Sequence, residues 1–301
     1  MLEQSQVDTY NRDGYLNAGP ILADSEIAEL SDELDRLIAT GPDGFKEDEP
    51  RPVRFNNISS NKDQTVWQIV NVWEASPAFE RLVHHPFIVN AIRQMSGFDN
   101  LQVWHDQMQY KPAGYGGCTG WHQDAPLWPI IRPMTPVSAW IPFDDADEDN
   151  GCMWMVPGSH KWDDQNDYLK TQSHLTTLEQ FRNPGFIAPA QAQGQSLESI
   201  ARPVRRGEVH FHHSLTWHGS PTNTSNRPRR AVAIHYMTSE AVFLASGEHP
   251  MKQFVNLPDG AHMSGAGSHF PVVCRDGKPC APCRSATCGA GDSQCCSNTK
   301  S

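Results

Sequence analysis

The chain has 301 residues and a net charge of −11, from 24 Lys and Arg against 35 Asp and Glu. That acidity disfavours phosphate backbones and anionic membranes, so no nucleic-acid partner is expected. A hydrophobic share of 38%, with nine Trp and twelve Phe, fills a core and excludes general disorder.

The first residues, with Glu3, Asp8, Arg12 and Asp13, lack the apolar stretch of a signal peptide, and no run is long enough for membrane insertion. A cytoplasmic globular protein is expected. Asp24 or Ser25 can cap a helix in which Ile27, Leu30, Leu34, Leu37 and Ile38 recur at helical spacing, and Gly41-Pro42 stops it. A second helical stretch is expected from Pro77 to Met95, with Phe79, Leu82, Ile88 and Ile92 as its apolar side.

From about Leu101 the texture changes. Leu101 to Tyr110, Ser138 to Phe143, Cys152 to Val156, Glu208 to Phe211 and Ala231 to Met237 are short runs rich in β-branched and aromatic residues. Pro, Gly, Asn and Asp separate them, which favours a sandwich or barrel over a doubly wound sheet. The polar segment Trp162 to Pro203 breaks this rhythm and reads as a lid or wall over a site.

Only Cys118 and Cys152 precede position 274, whereas six cysteines crowd the last 28 residues, which hold no Val, Ile, Leu, Met or aromatic residue. The expected folded unit is therefore 1–273, helical to about 100 and β-rich from about 101 to 240, with 274–301 as a Cys-rich tail. A disordered, thiol-rich extension is its plainest reading. A zinc knuckle through Cys280-x-x-Cys283 and a disulfide-stapled tail are the alternatives, the latter needing an oxidising compartment.

The chemistry centres on Trp121-His122-Gln123-Asp124. On an extended strand His122 and Asp124 point to one face and can bind one ion together. Downstream, His210, His212, His213 and His218 are four candidates for a second histidine. Two His and one carboxylate leave open positions, which suits non-haem Fe(II) activating O2, whereas a structural zinc site would close all four. Beyond lie Asn223 and then Arg229-Arg230, an arginine fork for a dicarboxylate or simply a solvated strand end; spacing alone leaves these even.

Together these residues resemble the phytanoyl-CoA dioxygenase family of Fe(II)/2-oxoglutarate oxygenases, which includes the ectoine hydroxylases. The likeness runs from about Tyr10 to Met237 and rests on five pieces in family order. They are Tyr10-Asn11-Arg12-Asp13-Gly14-Tyr15, then Trp121-His122-Gln123-Asp124, then Asn150-Gly151-Cys152-Met153-Trp154-Met155-Val156-Pro157-Gly158-Ser159-His160. Trp217-His218-Gly219-Ser220 and Asn223 with Arg229-Arg230 complete the set.

The resemblance implies a mainly β fold with flanking helices, a double-stranded β-helix of jelly-roll, cupin-like type. It implies Fe(II), 2-oxoglutarate and O2 as cofactors, and His122, Asp124 and His218 as the iron triad. It implies Arg229 and Ser220 at the distal carboxylate of 2-oxoglutarate, with Trp140 and Gln109 lining that pocket. Trp128 is the aromatic expected to face substrate, and Gln123 and Asn223 are expected to shape the substrate site or its adjoining turn. His160, in its Pro-Gly turn, is not expected to bind metal.

Halogenating relatives carry Ala or Gly where Asp124 stands, so hydroxylation of an unactivated C–H bond of a small molecule is the expected outcome, with release of succinate and CO2. Desaturation, epoxidation and cyclisation are the alternatives within this chemistry, and a non-catalytic metal-binding cupin-like module the alternative outside it. A highly anionic substrate is disfavoured unless Lys111, Arg132, Lys161 and Arg205 form a basic patch. No sequence feature selects a substrate or an oligomeric state.

Overall fold

The computed structural model describes residues 1–58, 66–133, 137–194 and 197–282. The helices before the β core are α1 (Gln4–Asp13), α2 (Asp24–Thr40), α3 (Val72–Ala75), α4 (Pro77–Val83) and α5 (Pro86–Ser96). Two short ones follow later, α6 (Asn166–Thr171) and α7 (Leu178–Arg182). The strands are β1 (Tyr15–Pro20), β2 (Arg54–Asn57), β3 (Trp67–Val70), β4 (Leu101–Lys111), β5 (Thr119–His122) and β6 (Ile131–Arg132). Next come β7 (Ser138–Pro142), β8 (Met153–Met155), β9 (Ile200–Arg202), β10 (Glu208–His212) and β11 (His218–Ser220). The last are β12 (Arg229–Thr238), β13 (Val242–Phe243), β14 (Val272–Arg275) and β15 (Lys278–Pro279).

Every strand pairing is antiparallel. The major sheet runs β1-β10-β7-β12-β4-β14-β15, with β3 and β2 joined to β4, and the minor sheet runs β5-β11-β8-β9. This is the expected double-stranded β-helix with flanking helices.

The alternation of β12 shows how the sequence builds its layers. Val232, Ile234 and Tyr236 join the apolar core under the N-terminal helices, while Ala231 and Ala233 point inward to Trp140 and the minor sheet. Arg229 shares the inward parity and is buried; Arg230 takes the other face and pairs with Asp144 and with Asp35 of α2. A period of two thus sends the two adjacent arginines to opposite faces of β12.

Helix α2 buries Ile27, Leu30, Leu34 and Leu37 as the periodicity predicts. Ala23, rather than Asp24 or Ser25, holds the cap position, and Glu26 reaches back to accept its N–H at 2.8 Å. The second predicted helix is two, because His85 precedes Pro86 and a proline ring disfavours helical backbone in the residue before it.

The boundary expected at 273 is corrected. Strand β14 pairs with β4 and turns at Asp276-Gly277, both at positive φ, into β15. Asp-Gly suits a two-residue hairpin turn. Cys274 and Cys280 are buried and belong to the fold, while the remaining tail, including Cys283, lies outside the described residues.

The described part of the segment Trp162 to Pro203, expected as a lid or wall, packs as a wall. It packs on the outer side of the minor sheet, where Phe181 stacks on Trp121 at 4.8 Å and Phe186 meets Trp121 and Trp217 edge-on.

Candidate metal centre and cavity

Strands β5 and β11 pair so that His122 and His218 lie opposite each other in register. Gly219 permits that approach. A Cβ there would sit 3.0 Å from the Thr119 carbonyl oxygen and 3.1 Å from the Trp121 nitrogen, so a side chain would require the neighbouring backbone to give by a few tenths of an ångström. Asp124 reaches the same point by a different route from the one expected. The strand ends at His122, and Asp124 heads the turn Ala125–Leu127 with φ −70 and ψ −50.

Asp124 Oδ1 lies 3.5 Å from His122 Nε2 and 3.6 Å from His218 Nε2. One ligand atom from each of the three residues falls within 4.8 Å of the others, a geometry that could hold a metal ion. Each imidazole is oriented by its far nitrogen. His122 Nδ1–H donates to the Gly120 carbonyl at 2.8 Å, and His218 Nδ1–H donates to that of Thr216 at 2.9 Å. That leaves both Nε2 lone pairs facing Asp124, as metal-binding histidines require.

Burial pushes the His218 imidazole down to about 3, with His122 adding to the effect, so it stays neutral. Burial alone would raise the Asp124 carboxyl, but the surrounding His218, His122 and His212 hold it well below its ordinary range. Burial alone would lower the His122 imidazole, but Asp124 raises it, so the triad offers one anion and, at His218, a neutral nitrogen, a donor set suited to a divalent transition metal.

Another of the four candidate histidines supports this set. His212 Nε2–H donates to Asp124 Oδ2 at 3.2 Å, fixing the carboxylate so that Oδ1 faces the two ligand histidines. The only sequence signal was its place in the histidine cluster. His210 instead stacks on Tyr15, and His213 meets His160 with the rings tilted at 43°. His160 stays away from the triad, and Ser159 beside it braces the entry to β11 by accepting the Trp217 N–H at 2.8 Å.

A cavity of about 470 Å³ opens over His122 and Asp124, and Gln109 and Trp128 line it. A narrower recess continues past the triad to Trp140 and Ser220. Behind Ser220 lies Arg229, 1% exposed, with Nη2 3.5 Å from the Ser220 hydroxyl. Its Nε and Nη1 have no partner among the described residues, and burial pushes the guanidinium down to about 10. An unmatched buried cation beside the recess fits a carboxylate.

Lys111, opposite Arg229 in register, is also fully buried and donates to the Ser220 and Pro221 carbonyls at 3.0 and 2.7 Å. It braces the strand that carries Ser220. The basic patch considered for anionic substrates does not form at the cavity, since none of Lys111, Arg132, Lys161 and Arg205 lines it.

Gln123 and Asn223 line neither space; of the two places expected for them, the substrate site or its adjoining turn, their contacts lie in turns. Gln123 Nε2–H donates to the Asp163 and Leu215 carbonyls, and its oxygen accepts the Gln165 N–H. Asn223 ties Pro112 to Arg227 across a turn. Both side chains have their polar atoms committed to backbone.

Residues 10–231 match the phytanoyl-CoA dioxygenase family. The chain belongs to that family. As a phytanoyl-CoA dioxygenase relative it is an oxygenase of the 2-oxoglutarate-dependent class, whose cofactors are iron, 2-oxoglutarate and O2. It is 30% identical over 183 residues to phytanoyl-CoA dioxygenase domain-containing protein 1 of Danio rerio, a match spanning 60% of each chain. It is 28% identical over 245 residues to the ectoine dioxygenase of Bordetella bronchiseptica, covering 79% of this chain and 76% of that one.

Among solved structures, the carbocyclase SnoK from nogalamycin biosynthesis superposes with a TM-score of 0.70 at 24% identity, covering 90% of this chain and 96% of that one. EctD from S. alaskensis, solved with 2-oxoglutarate and 5-hydroxyectoine, gives 0.64 at 19%, covering 87% and 86%. At these identities the likeness is one of fold. No helix among the described residues is long and apolar enough to cross a membrane.

Proposed function

We propose that this protein is a cytoplasmic hydroxylase, which couples decarboxylation of 2-oxoglutarate to succinate and CO2 with hydroxylation of an unactivated C–H bond of a small organic molecule. The convergence of His122, Asp124 and His218 within 4.8 Å carries the reading. In it these three residues hold iron, and Arg229 with Ser220 holds the distal carboxylate of 2-oxoglutarate. When bound, iron and 2-oxoglutarate together supply the activation of O2 that C–H oxidation needs.

The chain's own residues supply position and dryness. Gly120 and Thr216 lock the imidazoles by their carbonyls, and His212 holds the carboxylate. Trp140, 1% exposed, walls the recess, and Trp128, 4% exposed, walls the cavity, so both limit water around the reacting carbon. Asp124 favours hydroxylation, because it fills the position that halogenating relatives leave for chloride. A non-catalytic module would have no use for the buried guanidinium of Arg229, whose Nε and Nη1 lack partners among the described residues.

The test is succinate release with Fe(II) and 2-oxoglutarate across a panel of small molecules, followed by product mass. Gain of one oxygen supports hydroxylation. Loss of two hydrogens points to desaturation or ring formation. No succinate under any condition, or undiminished release from Asp124→Ala, refutes the reading.

A further inference from the structure

Iron and 2-oxoglutarate leave one wall of the cavity unexplained. His105 lies on β4, is 3% exposed, and has no partner for either ring nitrogen among the described residues. Leaving such a group unpaired is costly, and a water, an ion or a ligand commonly satisfies it. Yet His105 lines the cavity together with His122 and Asp124.

Its ring is held firmly. Trp128 meets it edge-on at 5.7 Å, His235 at 4.8 Å, and His249 stacks on it at 5.6 Å.

The two-residue period of β4 brings Gln107 and Gln109 onto the same wall, and Gln68 from β3 donates to Gln107 at 2.6 Å. Burial, reinforced by His235 and His249, keeps the His105 imidazole uncharged, so it offers one donor and one acceptor. Each carboxamide likewise offers both. The charged groups of this cavity, apart from Asp124, are Arg54 and Glu248, both exposed, the latter paired with Lys252 at 2.7 Å. The deep wall therefore presents neutral groups that each give and take hydrogen bonds.

We propose that His105 reads the substrate, and that the substrate is an uncharged molecule with neighbouring hydroxyls, a polyol or sugar-like ring, paired with His105 and the glutamine wall. This rests on the oxygenase reading above and names the substrate class for the same site. A hydroxyl donates and accepts, and so matches a neutral imidazole. A carboxylate only accepts and an ammonium only donates. Either would lose its hydration against a wall without a matching counter-charge. Trp128, which lines the cavity, supplies apolar surface for the carbon skeleton of such a molecule.

The test uses the full chain loaded with diamagnetic Zn(II) and 2-oxoglutarate, with saturation-transfer NMR against four probes. These are methyl α-glucopyranoside, myo-inositol, cyclohexanecarboxylate and cyclohexylammonium. The two polyols are expected to bind about tenfold or more tightly than either charged ring, the difference that one unmade buried hydrogen bond produces. His105→Phe, which keeps a ring but no nitrogen, should weaken polyol binding about tenfold, and His105→Gln should restore part of it.

Preference for a charged probe, binding of none of the four, or undiminished polyol binding by His105→Phe overturns the proposal. If His105→Phe does not fold, the selectivity of the unmodified protein still decides. Failure of the oxygenase reading would show separately, as absent succinate release.

Discussion

Arg229 is the place where function should oppose stability. Its guanidinium is buried, Nε and Nη1 lack partners among the described residues, and its one hydrogen bond, to Ser220, is 3.5 Å long. The fall of its pKa to about 10 corresponds to roughly 3 kcal/mol against the charged form in the folded state. The folded chain binds this proton less tightly than the unfolded chain, so the penalty stands in full at neutral pH and is released only above about pH 10.

Arg229→Met removes the charge and keeps an unbranched side chain. It also removes the cation over the Trp140 ring at 5.6 Å, a loss of about 1 kcal/mol. The cofactor-free variant should therefore gain about 2 kcal/mol, a rise of about 3 °C in Tm. Binding should go the other way. In the unmodified protein 2-oxoglutarate at a hundred times its Kd should add about 2.7 kcal/mol of protection in the presence of Mn(II), and in Arg229→Met almost none. Calorimetric melts with and without 2-oxoglutarate measure both effects. A cofactor-free variant less stable than the parent would refute the reasoning, because it would mean that the protein itself already compensates the charge.

Three further outcomes follow from other contacts. His212→Leu removes the support of Asp124 Oδ2 and should weaken Mn(II) binding about 10- to 100-fold, measured by chelator competition; unchanged affinity would mean that the carboxylate holds its orientation without this contact. Asp106 is fully buried and its carboxyl is pushed up to about 8 by burial, so its stabilisation is complete below about pH 4 and declines as pH rises toward 8. Asp106→Asn, which keeps an acceptor for the Trp73 N–H, should flatten that decline in urea midpoints across the window, and an unaltered slope would count against it. Ending the chain after 282 should leave the melting temperature unchanged, while ending it after 273 removes buried Cys274 and Cys280 and the β14–β15 hairpin and should lower it by several degrees, a contrast whose absence would return the boundary to 273.

Much of this was legible in the sequence because its signals are local. The apolar stripe of α2 and the alternating run of β12 each declare an element and its buried side within a dozen residues. The segment 274–280 was missed because it contains no large apolar side chain, although Asp276-Gly277 is a hairpin signal and buried thiols pack as small hydrophobes. The proposed ligands were found by spacing and resemblance, yet the reasoning for His122 and Asp124 had a wrong step. It assumed strand alternation where the chain turns.

What stayed hidden depends on long-range pairing. His212 meets Asp124 across 88 residues, and His105 stands opposite His235 across the β4–β12 ladder. Nothing local distinguishes either histidine from His213, which packs against His160 instead. The same separation bears on Arg229 and Arg230, adjacent in sequence and opposite in role. Parity along β12 sends one into the interior, with no acid partner among the described residues, and the other to two aspartates. A strand slipped by one residue would exchange them and place the unpaired charge in solvent, so the register of β12 on β4 and β7 sets the site as well as the fold.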